Sequence, residues 1–539
     1  MAAPLVLPGI AVAQDATPAS SPAAVPAGLP ESSPVAIVLP RYRELDFTPF
    51  DAALDALDSA RIAELDALLP TATIPDLQNA MGAGELTAEE LTLYFLNRIR
   101  TYDEVLRSYI ELNPSALDDA KAADAARAAG EPLGPMAGIP VNLKDNIETA
   151  GPMHTTAGGI VLADHVAEQD ALLVTSLREA GAVILGKASL SEFAGALNNP
   201  GANAMAGQGI NPFGAGYATA GSSSGSAIST SALLTDVSVG SETSGSLIAP
   251  SAFNGVVGMK PSFGVVSGEG VVPLIRFNDS TGPIGRWVTD VATLLGAIDT
   301  TEVDYAAGLD AGAGSGKTAG LLRDDILNAS PASGEYVADA PAIIERIEGG
   351  LAEMRVSMVD VPSTMLDEQT AGVFTVYLIA GIGIDTVGYL AEAGAPATTL
   401  DEWIAFNLED PSVRIPAGQP LLDAGQQAGF TAADYEQMHE LVFAAATEGL
   451  EGAFAASNAD VLVSVSNIHS QLYATAGYPA ITVPVGLHEN GQPAGATFIA
   501  KPGEDAALLA FAYAFEQATR LRQMPPVTET AGVSLHSRA

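Results

Sequence analysis

Two runs of serine and glycine constrain this chain more than any other feature: Ala220-Gly221-Ser222-Ser223-Ser224-Gly225-Ser226 and Gly240-Ser241-Glu242-Thr243-Ser244-Gly245-Ser246. A flexible linker of that composition is flanked by polar or proline-rich sequence. These runs lead instead into Ala227-Ile228, into Leu247-Ile248-Ala249-Pro250 and then into Gly255-Val256-Val257-Gly258-Met259-Lys260-Pro261. Glycine clustered inside buried-looking sequence brings backbone close to a ligand, with free N–H groups aimed at it. A serine held there can act as a nucleophile. The stretch reads as an active site, and the open question is which base activates its serine.

The chain has 539 residues and a formal net charge of −41. So acidic a surface repels phosphate backbones, which argues against a nucleic-acid partner. There is no cysteine, so disulfides, thiolate metal sites and a cysteine nucleophile are all excluded. No unbroken run of ~18 apolar residues occurs, so no membrane-spanning helix is expected. At the N-terminus, Leu5-Val6-Leu7-Pro8-Gly9-Ile10-Ala11-Val12-Ala13 is a short apolar run ending in an A-x-A pattern. Residues 1–13 are read as the remnant of a signal peptide lacking its basic region, and export is expected, with a cytoplasmic location as the alternative. Residues 14–45, rich in Ala, Ser and Pro over most of their length, are read as disordered.

Helical periodicity runs through residues 46–68. A second helix starts at Thr87, with Glu90 as its capping-box partner and Leu86 stapled to Leu91. Ile139-Pro140-Val141-Asn142-Leu143-Lys144 reads as a buried strand, a helix at about 169–180 precedes a strand at 182–187, and strands recur at 460–465 and 480–485. Helices alternating with fully apolar strands imply an α/β sheet covered on both faces. A last amphipathic helix spans about 504–520. Residues 46–535 are taken as one domain, within which 301–450 form an acidic, mostly helical insertion that caps the substrate pocket.

Three sites compete for the chemistry. Ala311-Gly312-Ala313-Gly314-Ser315-Gly316-Lys317-Thr318 is nearly a phosphate-binding loop, but Ala311 stands where glycine is required, and neither a buried strand before it nor a helix after it is expected. Gly221-Ser222-Ser223-Ser224-Gly225 satisfies G-x-S-x-G, which would make Ser223 a nucleophile served by His469 or His488, yet no core strand precedes it. Lys144 ends an apolar strand in a chain with only six lysines. Desolvated there, its amine would lose its proton more readily than a free lysine and could serve as a base. From this segment alone, a structural pair with Asp145 remains the other reading.

A resemblance separates these readings. Lys144 in Gly138-Ile139-Pro140-Val141-Asn142-Leu143-Lys144-Asp145-Asn146, the run at 220–226 and the run at 240–264 resemble the amidase signature family, as does Ala476-Gly477-Tyr478-Pro479-Ala480-Ile481-Thr482-Val483-Pro484. Glu516 and Arg520 fit that family's C-terminal helix. The resemblance implies a large twisted mixed β-sheet covered by helices, and a hydrolase of carbon–nitrogen bonds other than peptide bonds. It implies Ser246 as nucleophile, Lys144 as base, and Ser222, on a cis peptide bond, as the relay between them. Thr243, Ser244, Gly245 and Ser246 become backbone donors to the oxyanion. Asn198, Gly221, Phe277 and Asp279 fall on the substrate side. Glu242 and Ser244 depart from the family's usual Asp and Gly, and Ser224 replaces a usual glycine. Such changes resemble the peptide-amidase branch, as does Val272-Pro273-Leu274 with Asp279-Ser280-Thr281-Gly282-Pro283.

On that resemblance the reaction passes through an acyl-enzyme and needs no metal or organic cofactor. The helix around Tyr377–Asp385 reads as apolar, which favours a neutral hydrophobic or aryl amide, with esters and carbamates sharing the same route. A C-terminal peptide amidase and an amidotransferase-type component of a larger assembly are the alternatives. The expected partner is a small-molecule amide, ester or carbamate, without nucleic acid or membrane, and the expected protein is a monomer or homodimer.

Overall fold

Apolar segments too continuous for half-exposed strands form the centre of the molecule. The computed structural model describes residues 41–197, 200–301, 303–329, 338–528, 530 and 532. The signal-peptide reading of 1–13, and the disordered reading of 14–45 as far as residue 40, lie outside them. Eleven strands form one mixed sheet: β1 (Tyr109–Leu112), β2 (Pro140–Lys144), β3 (Val183–Ala188), β4 (Val237–Glu242), β5 (Val257–Lys260), β6 (Ser280–Gly285), β7 (Thr318–Leu321), β8 (Ser357–Asp360), β9 (Val461–Val465), β10 (Ala480–Leu487) and β11 (Pro493–Ile499). Their order is β1-β3-β2-β4-β6-β5-β10-β11-β9-β7-β8. Every residue of β2, β3, β4 and β9 is buried, as strands covered on both faces require.

The helix Ala88–Leu106 carries the expected capping box between Thr87 and Glu90. The periodic stretch 46–68 breaks in two, because Asp58 accepts the Ala60 N–H and starts a new helix, Ser59–Leu68. The helix Asp505–Thr519 presents Glu516 to the N–H of Val288 at 2.8 Å, which caps the helix Val288–Ile298.

Two expectations need correction. Residues 41–45 are not free chain throughout: the buried Arg41 guanidinium donates to the Tyr109 carbonyl at 2.6 Å and to the buried Asp103 carboxylate at 2.7 Å. A buried arginine requires such partners. The span 301–450 is not only a helical cap, since β7 and β8 lie within it and extend the sheet in parallel beside β9. The strand-free, helical part of the span, called the cap below, begins after β8. Its helices Glu368–Gly381, Leu400–Glu409, Pro420–Ala428 and the first half of Ala432–Ser457 bury Phe374, Tyr377, Trp403, Leu422, Tyr435 and Met438 together against Phe193, Leu274 and Ile275. The continuous helical run Glu368–Glu392 matches a membrane span in length and composition alone, and more than half of its most apolar window is buried inside the protein.

β2 and β4 are parallel neighbours, so their C-terminal ends lie at the same edge of the sheet. Lys144 ends the first and Glu242 the second. Two segments about a hundred residues apart in the chain are thereby brought side by side, and ligands of open α/β sheets bind at such edges.

Candidate active site

Lys144 is fully buried and touches no carboxylate among the described residues. Its Nζ lies 2.6 Å from Ser222 Oγ, 2.9 Å from Ser241 Oγ and 3.1 Å from the Ser241 carbonyl. Burial dominates its titration and lowers its pKa to about 7, although the charges of Asp279 and Glu242 partly oppose the shift. Asp145 turns away. Its carboxylate accepts from Thr156 and Gly158 and stands 3.7 Å from Lys187 Nζ, so a Lys144–Asp145 pair does not form.

The first serine–glycine run reaches Lys144 through a cis Gly221–Ser222 peptide. Gly221 fits because a Cβ there would stand 2.1 Å from Ser191 Oγ. Ser222 is buried, and its carbonyl accepts the Ser191 N–H at 3.0 Å. Ser223, the serine of the G-x-S-x-G match, is spent on structure. Its N–H donates to the Ser246 carbonyl at 3.1 Å, its Oγ donates to the Ser241 carbonyl at 3.0 Å, and the same Oγ accepts the Ser241 N–H. It staples the two runs together. His469, one of its proposed partners, bonds Ser464 and Asp325, while His488 bonds Asp339. The near-phosphate loop at 311–318 is a turn leading straight into β7, without the helix such a loop needs.

The second run bends into a tight loop after β4. The Glu242 carboxylate accepts the N–H groups of Leu247 and Ile248 at 2.7 and 3.0 Å, closing the loop at its far end. Within it, the N–H groups of Thr243, Ser244, Gly245 and Ser246 make no turn, loop or cap hydrogen bond among the described residues. Gly245 takes φ +81°, and a Cβ there would meet Asn467 Nδ2 at 2.8 Å. Ser244, the residue that departs from the usual glycine, donates from Oγ to Ser470 Oγ at 3.1 Å. Ser246 places its carbonyl on Ser223, and its Oγ has no protein partner among the described residues.

Asp279 meets this loop because β4 and β6 are antiparallel with Glu242 opposite Ser280. One of its oxygens accepts the Thr243 hydroxyl, and the other accepts the N–H groups of Leu274 and Ile275 at 2.7 and 3.0 Å. Burial pushes Asp279 up to about 6. A cavity of about 280 Å³ opens beside it, lined by Asn146, Ser241, Thr243 and Asp279 on one side and by Phe263, Val266, Val271, Val272 and Leu274 on the other. Lys144, Ser222, Gly221 and Ser246 do not line this cavity, whereas Ser241, in direct contact with Lys144, does. A wider cleft of about 760 Å³ shares Gly268, Val271, Pro273 and Arg276 with it. Phe277 faces the cap instead, stacked on His439 at 4.2 Å between ring centroids. Asn198 lies outside the described residues. The helix at 377–385 is less apolar than its sequence reads, because Asp385 binds the Arg276 N–H, the Arg276 guanidinium and the Tyr435 hydroxyl.

Sequence reasoning missed Ser241, Asn146 and Ser470. Asn146 donates to Ser241 Oγ at 3.0 Å, so both belong to the lysine's surroundings. The available signal for Asn146 and Ser241 was their place in the 138–146 and 240–246 segments, whereas Ser470 lies in no such motif.

The family model described as Amidase matches residues 90–307. A probable amidase of Arabidopsis thaliana is 33% identical over 492 residues, covering 84% of this chain and 91% of the relative. A glutamyl-tRNA(Gln) amidotransferase subunit of Moorella thermoacetica is 30% identical over 501 residues, covering 84% and 98%. Among solved structures, the native peptide amidase from Stenotrophomonas maltophilia superposes with a TM-score of 0.78 at 35% identity, covering 84% of this chain and 98% of that one.

Proposed function

Because this chain belongs to the amidase signature family and is a hydrolase of carbon–nitrogen bonds, we propose that it cleaves neutral amides bearing a hydrophobic or aryl group through an acyl-enzyme on Ser246. The observation that carries this reading is the hydrogen-bond set of Lys144. A neutral amine has two N–H groups and one lone pair. The Ser241 carbonyl and Ser241 Oγ take the two N–H groups, and the lone pair then faces Ser222 Oγ at 2.6 Å. A lysine so placed, with its pKa lowered to about 7, is a base that draws on Ser222.

In the reaction, Ser246 Oγ attacks the amide carbon while its proton passes to Ser222 and the Ser222 proton to Lys144. The carbonyl oxygen, now an oxyanion, is held by N–H groups of the 243–246 loop, where each donor is worth ~10²–10³ in rate. Collapse breaks the C–N bond, and Lys144 returns a proton through Ser222 to the leaving amine. Water then attacks the acyl-serine by the same relay run again, releasing the carboxylic acid and restoring Ser246.

The apolar wall formed by Phe263, Val266, Val271, Val272 and Leu274 supports a hydrophobic substrate group. Esters and carbamates form the same kind of acyl-serine and belong to the proposed range. The likeness to the peptide amidase favours a second reading, in which the substrate is the C-terminal amide of a peptide. A panel of anilides, primary amides, esters, carbamates and dipeptide amides, with glutamine added for the amidotransferase-type reading, tests these together. Turnover is expected with anilides and apolar primary amides. Turnover confined to dipeptide amides would support the second reading, and ammonia release from glutamine alone would support the third.

A further inference from the structure

The cap helix Glu368–Gly381 is joined to the oxyanion loop by an unbroken hydrogen-bonded line. Tyr377, fully buried in that helix, donates its hydroxyl to Asn278 Oδ1 at 3.0 Å. Asn278, also fully buried, donates from Nδ2 to Thr475 Oγ1 at 3.2 Å and, at 3.5 Å, to the carbonyl of Thr243. The next residue, Asp279, takes the hydroxyl of the same Thr243. Thr243 is therefore met at its main chain by a long hydrogen bond from Asn278 and held at its side chain by Asp279.

On the cap side, His439 Nδ1 lies 3.1 Å from the Tyr377 hydroxyl. The tyrosine has one proton, which goes to Asn278, so His439 must present Nδ1–H to the phenol oxygen. Phe277, on the same turn, stacks on His439, while Arg276 bonds Asp385. The turn from Leu274 to Asp279 thus has the cap packed on one side and the oxyanion loop on the other, and Leu274 itself lines the cavity of about 280 Å³ beside Asp279.

We propose that Tyr377 is a positioning residue for the oxyanion loop: acting through Asn278, its hydroxyl fixes Thr243, so the cap contributes to the rate of bond making. The inference rests on the reading of residues 243–246 as the oxyanion loop. Displacing reacting groups by about 1 Å can cost ~10² in rate, so a smaller slackening of the loop is expected to cost about tenfold. If Tyr377 were only a wall of the pocket, losing its hydroxyl would change reversible binding and leave the bond-making step alone.

Tyr377→Phe keeps the ring and removes only the hydroxyl. The measurement is covalent labelling by an arylsulfonyl fluoride, followed by intact mass and peptide mapping. In this reaction Ser246 Oγ bonds to sulfur, fluoride leaves, and the serine proton passes through Ser222 to Lys144. Saturation kinetics separate reversible affinity, KI, from the bond-making rate, kinact. The expected result is a kinact about tenfold lower in Y377F with KI unchanged, and a Y377F/N278A double variant no slower than N278A alone. A kinact in Y377F equal to the parent's, or a loss confined to KI, would overturn the inference while leaving Ser246 as nucleophile. A parent protein labelled elsewhere than Ser246 would instead remove the reading on which the inference rests, and the inference with it.

Discussion

The base strength of Lys144 gives the sharpest test of the electrostatics. Burial brings its pKa from 10.5 down to about 7. Only the neutral amine can accept the Ser222 proton, so activity must rise with pH through that value and level off above it. At pH 6 about a tenth of the enzyme would be in the working form, and at pH 5 about a hundredth. An unshifted lysine would still be more than 99.9% protonated at pH 7, by the same arithmetic. The assay is the initial rate of anilide hydrolysis from pH 5 to 9 at constant ionic strength, read as kcat/KM to report the free enzyme. Asp279→Asn removes a negative charge that favours the lysine ammonium, so its acid limb should move to lower pH. A profile flat from pH 5 to 8, an inflection near 10, or an Asp279→Asn shift toward higher pH would refute the reasoning.

Three other expectations follow from contacts around the loop. Ser241→Ala strips Lys144 and Asn146 of a shared acceptor; the loss should lower kcat by about tenfold, equivalent to ~1.4 kcal/mol, and denaturant unfolding should show a destabilisation of ~1–3 kcal/mol. Gly245→Ala forces a Cβ into Asn467 at a positive φ, which should cost ~1–3 kcal/mol of stability and about a hundredfold in kcat, measured on the same anilide. Ser222→Ala should leave a small residual rate, because Lys144 and Ser246 remain while the relay between them is gone; parental activity in that variant would exclude a relay role.

Parts of this architecture were legible because they are written in contiguous residues. The Thr87–Glu90 capping box and the mainly apolar, fully buried β2, β3 and β9 each need only a few neighbours in sequence to be read. The strands β7 and β8 were not legible, because each has four residues and β8 is exposed along its whole length, so neither shows the apolar pattern of a core strand. Arg41 was missed because a charged residue after an Ala/Pro-rich stretch reads as solvated, and only the fold supplies Asp103. From the residues alone, a structural pair with Asp145 remained the other reading of Lys144, and the resemblance pointed to Ser222. The surroundings of Lys144 depend on the parallel pairing of β2 with β4, and the Tyr377–Asn278–Thr243 line on side chains up to about 130 positions apart. No local pattern encodes either, so the contacts that give Ser241 and Asn278 their roles emerged only with the fold.

The measurement that bears most directly on the central claim is turnover, with acyl-enzyme trapping, in Ser246→Ala beside the parent. Acid-quenched parent protein should carry the substrate's acyl mass on the peptide containing Ser246, and the variant should neither acquire that mass nor release amine. Release of amine by purified Ser246→Ala at the parental rate, or an acyl group mapped to another serine, would contradict the account.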